Sequence, residues 1–155
     1  MSSASEKYRS LVAAYAMLFN DKNEVLLARR ANTGYSDGFY DVPAGHLEAG
    51  ETLREACIRE LAEEAGVMAT VDDLEFVEVL HRNSMDDRVY VDFFFRVKKW
   101  DGEPRIMEPG KCDDMAWFSL NNLPDRIVPA TTKVLADLGE QVPYNEIGWK
   151  GKLDT

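Results

Sequence analysis

Three glutamates with helical spacing carry most of the chemistry that residues 45–67 could do. Glu60, Glu63 and Glu64 follow an i, i+3, i+4 spacing, so all three can reach one point beside a helix. At about 100° of rotation per residue, Glu60 and Glu64 fall within about 20° of Leu53, in the stripe that should face the core. Burying isolated carboxylates costs free energy, and close like charges raise one another's pKa. A divalent cation held by these side chains would remove both penalties.

The ligand type narrows the choice of metal. Carboxylate oxygens are hard ligands, which favour Mg²⁺, Mn²⁺ or Ca²⁺ over Zn²⁺. Neither His46 nor His81 has a partner at zinc-ligand spacing. The alternative interpretation of the same segment is a solvated acidic helix face, with Arg59 and Glu55 as part of its charge pattern.

The elements around this segment predict an α/β fold with a mixed sheet. Thr52 and Glu55 have capping-box spacing at the start of a first helix, and Gly66 is suited to end it. Apolar runs predict strands over residues 11–19, 24–30, 39–42, 74–81, 89–97 and 115–118, and a second helix over 129–138. The first two strands, joined by a polar turn at 20–23, resemble a hairpin, whereas the tail from residue 141 shows no clear element.

Length and charge set limits on domain organisation and partners. The 155 residues predict a single domain over residues 8–155, preceded by a polar and disordered segment at 1–7. The formal net charge of −10 argues against binding a nucleic acid polymer, which needs a basic face. Small anionic substrates stay open, because metal ions can bridge an acidic protein to phosphate.

Cysteine content and hydropathy favour a cytoplasmic protein. Cys57 and Cys112 are too few for a disulfide framework and are interpreted as reduced thiols that pack as small apolar groups. No apolar run is long enough to span a bilayer, and the N-terminal residues do not resemble a signal peptide. We therefore expect no association with a membrane.

Residues 45–67 also resemble a known motif. They fit the Nudix box, Gly-x5-Glu-x7-Arg-Glu-apolar-x-Glu-Glu-x-Gly-apolar, at every specified position. A chance match to its seven fixed residues is on the order of 10⁻⁸ per starting position, so the signal is specific. The positions are filled by Gly45, Glu51, Arg59, Glu60, Leu61, Glu63, Glu64, Gly66 and Val67.

Membership of the Nudix family would imply a fold, a reaction and a set of site residues. The implied fold is an α/β/α sandwich with a mixed sheet between helices. The implied reaction is hydrolysis of nucleoside diphosphates linked to another group, with Mg²⁺ or Mn²⁺. The resemblance implies that Glu51 orients the catalytic Arg59 or binds metal through water. It also implies that the carboxylates of Glu60, Glu63 and Glu64 hold the metal. The backbone carbonyl of Gly45 would be a further ligand.

Residues outside the box resemble the bacterial MutT branch of the family. The turn Trp-Asp-Gly-Glu-Pro at 100–104 is followed by Glu108 and then Trp117, which by resemblance makes Glu108 a fourth carboxylate at the metal. Its alternative is an ordinary exposed loop glutamate. The proton acceptor is left open among Glu60, Glu64 and Glu108.

Substrate contacts are predicted at Arg29, Tyr40 and Thr131. Arg29 ends the second strand, where its guanidinium suits phosphate, although a solvated side chain is the alternative. Tyr40 could stack on a base or simply pack in the protein. Thr131 stands where MutT carries an asparagine that reads oxidised guanine, and one hydroxyl cannot replace an amide's donor and acceptor. A strand-end role in solvent is favoured over phosphate binding for Arg82.

We therefore predict a nucleoside triphosphate pyrophosphohydrolase that uses Mg²⁺ or Mn²⁺ and acts on a small nucleotide. Two alternatives are kept: a pyrophosphatase for nucleotide sugars or ADP-ribose, and a non-catalytic nucleotide-sensing module. The complete box argues against the last. A homodimer is compatible with the resemblance.

Overall fold

Two sheets and two helices make up residues 6–84 and 88–149, the part of the chain that this computed structural model describes. A short 3-10 turn, Val71–Asp73, precedes the fifth strand. The elements in chain order are β1 Leu11–Leu18, β2 Glu24–Arg30, β3 Tyr40–Asp41, β4 Ala44–His46, α1 Leu53–Ala65, β5 Leu74–Asn83, β6 Val89–Val97, β7 Cys112–Ser119, α2 Pro129–Asp137 and β8 Tyr144–Ile147.

The larger sheet is mixed, as the sequence predicted. Its strand order is β4-β1-β6-β5-β8, with β1 parallel to β6 and β5 parallel to β8. The β4–β1 and β6–β5 pairs are antiparallel. A second, antiparallel sheet has the order β3-β2-β7.

Strand β1 is buried on both faces, which explains its unbroken apolar sequence. Tyr15 and Met17 pack in the core that contains Val134 of α2, whereas Ala14 and Ala16 pack in the core that contains residues of α1. Strands covered on both faces read as continuous apolar runs rather than as an alternation. The two helices thus cover opposite faces of the mixed sheet, and the expected α/β/α sandwich is confirmed.

Helix α1 begins and ends where the sequence predicted. The Thr52 hydroxyl oxygen accepts from the Glu55 N–H, and the Glu55 carboxylate accepts from the Thr52 N–H, so the capping box is complete. Gly66 adopts a left-handed conformation with φ of 68°, and its N–H donates to the carbonyl of Ala62. These two caps fix the register in which α1 presents its glutamates.

The predicted hairpin between β1 and β2 is wrong. The two strands share only the isolated bridge between Phe19 and Val25 beside their connecting turn. Beyond that bridge they diverge into different sheets, because β1 pairs with β4 and β6 while β2 pairs with β3 and β7. A polar turn between two apolar runs marks a change of direction but not a shared ladder.

The tail contains a strand that the sequence did not reveal. β8 pairs in parallel with β5, with Val79 opposite Tyr144 and Arg82 opposite Ile147. Its four residues are half polar, so they carry no clear periodicity. The disorder expected for residues 1–7 and the domain end at 155 fall largely on residues outside the described ranges. No helix among the described residues is long and apolar enough to cross a bilayer.

Candidate active site

The loop from β4 into α1 brings Gly45 against the carboxylate of Glu60. A Cβ built on Gly45 would lie 2.1 Å from both Cδ and Oε1 of Glu60. No side chain fits there unless Glu60 moves, so the absence of a side chain lets the carboxylate lie directly on the β4 backbone. The glycine of the box therefore has a steric role as well as a carbonyl to offer.

Glu64 lies one helical turn beyond Glu60 and is the more buried of the two. Its Oε1 accepts from the N–H of Ala44 at 3.2 Å. Burial, followed by the nearby charge of Glu60, raises the pKa of Glu64 well above its usual value, and burial also raises the pKa of Glu60. Both carboxyls are pushed toward protonation, which is the energetic conflict that the sequence implied and that a cation would reverse.

Arg59 is held by several carboxylates of the box. Its Nη2 and Nε donate to the two oxygens of Glu51 at 2.8 and 3.0 Å, and its Nη1 donates to Glu60 at 2.7 Å and to Glu63 at 3.1 Å. Nη2 also donates to the carbonyl of His46. The bidentate contact lowers the pKa of Glu51 and fixes the guanidinium in place. This contact fits the first of the two roles left open for Glu51, orientation of Arg59.

One cavity of about 560 Å³, called the acidic cavity below, collects the metal-ligand residues that the sequence nominated. Cationic side chains from Arg29, Arg30 and Lys111 also line it. Within residues 6–84 and 88–149, no three His, Cys, Asp or Glu side chains already converge on one point, since Glu60 and Glu63 turn toward Arg59. The oxygen donors nevertheless suit a hard divalent ion, and those on this cavity are Gly45, Glu60, Glu63, Glu64 and Glu108.

Of the predicted substrate contacts, Arg29 lies on the acidic cavity and Tyr40 does not. Arg29 lines the acidic cavity, where its Nε donates to Asp113 at 2.7 Å and its guanidinium lies 5.7 Å from the Tyr40 ring centroid. Tyr40 lines neither of the two cavities described here; its hydroxyl donates to Asp114, and its ring packs edge-on to Phe118.

Thr131 is fully buried and acts on the site only through a neighbour. Its hydroxyl donates to the carboxylate of Asp41, a residue that lines the acidic cavity. Burial raises the pKa of Asp41 to about 6. Sequence reasoning did not single out Asp41, which sits in a short strand with no motif around it.

A second cavity of about 460 Å³, the inner cavity, adjoins the acidic cavity and shares five lining residues with it, Arg30, Asp41, Ala44, Gly45 and His46. Arg82 lines it and is not the solvated strand end that the sequence favoured, because its side chain is only 12% exposed. Its Nε donates to Asp92 at 2.6 Å, and the Tyr15 hydroxyl donates to the same carboxylate at 3.1 Å. The sequence did contain a sign of this ion pair, because Asp92 interrupts the otherwise apolar strand VYVDFFF and a buried carboxylate needs a partner.

Comparison with known proteins agrees with this fold and this site. A family model for the NUDIX domain matches residues 9–138. The chain is 32% identical over 133 residues to the 8-oxo-dGTP diphosphatase of Escherichia coli, which covers 84% of this chain and 97% of that protein. It is 34% identical over 103 residues to an ADP-ribose pyrophosphatase of Methanocaldococcus jannaschii, covering 66% of this chain and 58% of that one. The crystal structure of a MutT NUDIX hydrolase from Burkholderia pseudomallei superposes with a TM-score of 0.77 at 25% identity, covering 83% and 98% of the two chains.

The fold and the matching family model thus define a hydrolase of the α/β/α sandwich class. The chain belongs to the Nudix family and is a MutT-like Nudix pyrophosphohydrolase. Nudix hydrolases generally use divalent metal ions and act on small nucleotide substrates.

Proposed function

We propose that this chain, as one Nudix domain over residues 8–155, hydrolyses nucleoside triphosphates to the monophosphate and pyrophosphate with Mg²⁺ or Mn²⁺. The observation that carries the proposal is the acidic cavity, where box glutamates and Glu108 face cationic side chains across one space. Carboxylates can hold the metal while the cations bind phosphate, so both halves of a metal–triphosphate complex have partners. We propose Gly45, Glu60, Glu63, Glu64 and Glu108 as the metal ligands.

The chain's own residues would divide the remaining work among them. A divalent ion held by these residues would screen the phosphate charge and make the attacking water more acidic. Arg29 and Lys111 bind phosphate oxygens, and Arg59 fixes the carboxylate of Glu60. Water attacks one phosphorus of the bridge between the α- and β-phosphates. The P–O bond of that bridge breaks, and the products are the nucleoside monophosphate and pyrophosphate. A glutamate takes the water's proton, and Glu60, Glu64 and Glu108 are the candidates.

The test is Glu64→Gln, which keeps the size of the side chain and removes its charge. We expect kcat for pyrophosphate release to fall by about 10²-fold or more, because this variant loses a metal ligand or the proton acceptor. Thermal unfolding should still show a cooperative transition. Glu75→Gln, an exposed position on β5, is the matched control and should keep normal turnover. Near-normal turnover in Glu64→Gln would exclude the assignment.

A pyrophosphatase for nucleotide sugars or ADP-ribose is the second candidate, favoured by the similarity to the ADP-ribose pyrophosphatase. One product assay separates it from the first, using nucleoside triphosphates, oxidised dGTP, nucleotide sugars and ADP-ribose with Mg²⁺, then with Mn²⁺, then with chelator. Release of a sugar phosphate rather than pyrophosphate would support the second candidate. Since Thr131 lacks an amide, we do not expect oxidised dGTP to be the dedicated substrate, despite the similarity to an 8-oxo-dGTP diphosphatase.

Two further possibilities are tested by the same material. Nucleotide binding without any metal-dependent product would indicate the non-catalytic sensing module. We also infer that the chain can form a homodimer, which light scattering behind size exclusion would detect as a doubled mass.

A further inference from the structure

Apolar surface predominates on the walls of the inner cavity, and Asp41 and Arg82 are among the charged residues that line it. Tyr15 and Tyr90 line one side, and Val128, at the start of α2, lines another. Its shared wall with the acidic cavity means that a nucleotide whose phosphates lie in the acidic cavity can extend its remaining part here. Pockets of this kind take specificity from the few polar atoms that face the ligand, so the orientation of those atoms decides what is selected.

Asp41 has one carboxylate oxygen committed to the protein and one available. Oδ1 accepts both internal hydrogen bonds, from the N–H of Val42 at 2.8 Å and from the hydroxyl of Thr131. Oδ2 has no hydrogen-bond partner among residues 6–84 and 88–149, and Asp41 lines both cavities. The backbone donor fixes which oxygen is turned inward, so Oδ2 is an acceptor for a ligand N–H.

Arg82 is a fixed donor on the same cavity. Its Nε and Nη2 both donate to Asp92, at 2.6 and 3.3 Å, and its guanidinium lies 4.1 Å from the ring centroid of Tyr90. Asp92 is fully buried, so this ion pair holds the guanidinium in one orientation. The remaining N–H groups of Arg82 can donate to a ligand acceptor.

We propose that Asp41, together with Arg82, is a specificity-determining residue that selects a base with a keto oxygen beside a ring N–H. Guanine, hypoxanthine and uracil have this edge, whereas adenine and cytosine have an amino group beside an unprotonated ring nitrogen. The ring N–H donates to Asp41 Oδ2, and the keto oxygen accepts from Arg82, the pairing that arginine most often makes with bases. This inference rests on the proposed function for the use of the acidic cavity by phosphates.

The structure predicts the outcome of Asp41→Asn. The N–H of Val42 still needs an acceptor, so the amide oxygen must take the place of Oδ1 and the NH₂ group must face the cavity. The variant thus replaces an acceptor by a donor at nearly constant volume. A buried polar group without its partner weakens binding by about tenfold or more, so the preference for GMP and IMP over AMP should fall by that factor.

The experiment measures binding of GMP, IMP and AMP by calorimetry in chelator at about pH 8, where Asp41 is ionised because its pKa is about 6. Asp72→Asn, an exposed site that lines neither cavity, is the matched control and should keep the wild-type preference. A ligand-side test needs no variant: 1-methylinosine monophosphate lacks the ring N–H and should bind wild type about tenfold more weakly than IMP.

These binding measurements are independent of turnover, so they separate the two proposals. Keto preference without hydrolysis would support the role of Asp41 and contradict the proposed reaction. Hydrolysis combined with equal binding of GMP, IMP and AMP would overturn the role of Asp41. Hydrolysis without measurable binding of any of the three would overturn it too. An Asp41→Asn variant that folds and keeps the wild-type preference would overturn it as well. If that variant does not fold, equal binding of IMP and its 1-methyl derivative is the refuting result.

Discussion

The environment of Glu78 predicts that the free energy of unfolding falls measurably as the pH rises. It lies on β5, is fully buried, and neither of its carboxylate oxygens has a hydrogen-bond partner in the described part of the chain. Burial, followed by the neighbouring Asp137 of α2, raises the pKa of Glu78 to about 8, while Lys133 acts in the opposite direction. The folded protein therefore holds this carboxyl protonated at neutral pH.

The sign and size of the effect follow from proton linkage. In the unfolded chain Glu78 loses its proton near the reference pKa of 4.5, but in the folded chain it keeps that proton up to about 8. Unfolding between these values releases a proton, so the free energy of unfolding falls by about 1.4 kcal/mol per pH unit across that window. The contribution is fully present below about pH 4.5 and is lost as the pH rises through about 8. A pKa difference of this size sets a ceiling of about 5 kcal/mol.

The perturbation is Glu78→Gln, which keeps the shape and removes the ionisation. Urea unfolding should be measured at several pH values from about 5.5 to about 7.5 for wild type, Glu78→Gln and the exposed control Glu75→Gln. Any cost of the amide does not change with pH, so the difference in unfolding free energy between variant and wild type should grow by about 2 to 3 kcal/mol across this range, in favour of the variant. Parallel pH profiles for wild type and Glu78→Gln would refute the reasoning, because then Glu78 would titrate alike in both states.

Two further predictions concern the site itself. Gly45→Ala should lower kcat by about 10²-fold and raise the metal concentration needed for half-maximal rate, because the new Cβ would displace the Glu60 carboxylate. Gly139→Ala is the control, since its new methyl meets open space, and equal metal dependence of the two variants would contradict the steric argument. Thr131→Val should reduce the preference for IMP over AMP while Thr131→Ser retains it, since the hydroxyl donates to Oδ1 of Asp41 and helps the Val42 N–H to hold it. Calorimetric titration checks both, and equal preferences in the two variants would exclude a positioning role.

The parts of this protein that sequence predicted well are those determined within a short stretch of chain. The capping box at Thr52, the stop at Gly66 and the spacing of the glutamates on α1 depend on residues a few positions apart. The unbroken apolar run of β1 similarly predicted a strand covered on both faces. In each case the physical cause is local periodicity or capping, which a single sequence displays directly.

The features that the sequence did not predict depend on contacts between residues far apart in the chain. The partner of Thr131 is Asp41, 90 residues away, and Arg82 meets Asp92 across a strand pair. Nothing in the local sequence of Asp41 distinguishes it from an ordinary strand-end aspartate. The importance of Asp41 depends in part on α2, because Thr131 of that helix and the neighbouring Val42 N–H both donate to Oδ1 and leave Oδ2 for a ligand.

The same long-range contacts explain why the family can be identified from α1 while the substrate cannot. The helix carries the carboxylates that we propose as metal ligands, and their spacing within the box identifies the family. The inner cavity is assembled from β1, β2, β3, β4, β5, β6, β8 and the start of α2, so its lining residues come from eight separate elements. A change at Asp41 or Arg82 would alter which base is bound without touching the box. Reaction and specificity are therefore set by different parts of this fold, and the shared wall at Asp41 and Gly45 is where they meet.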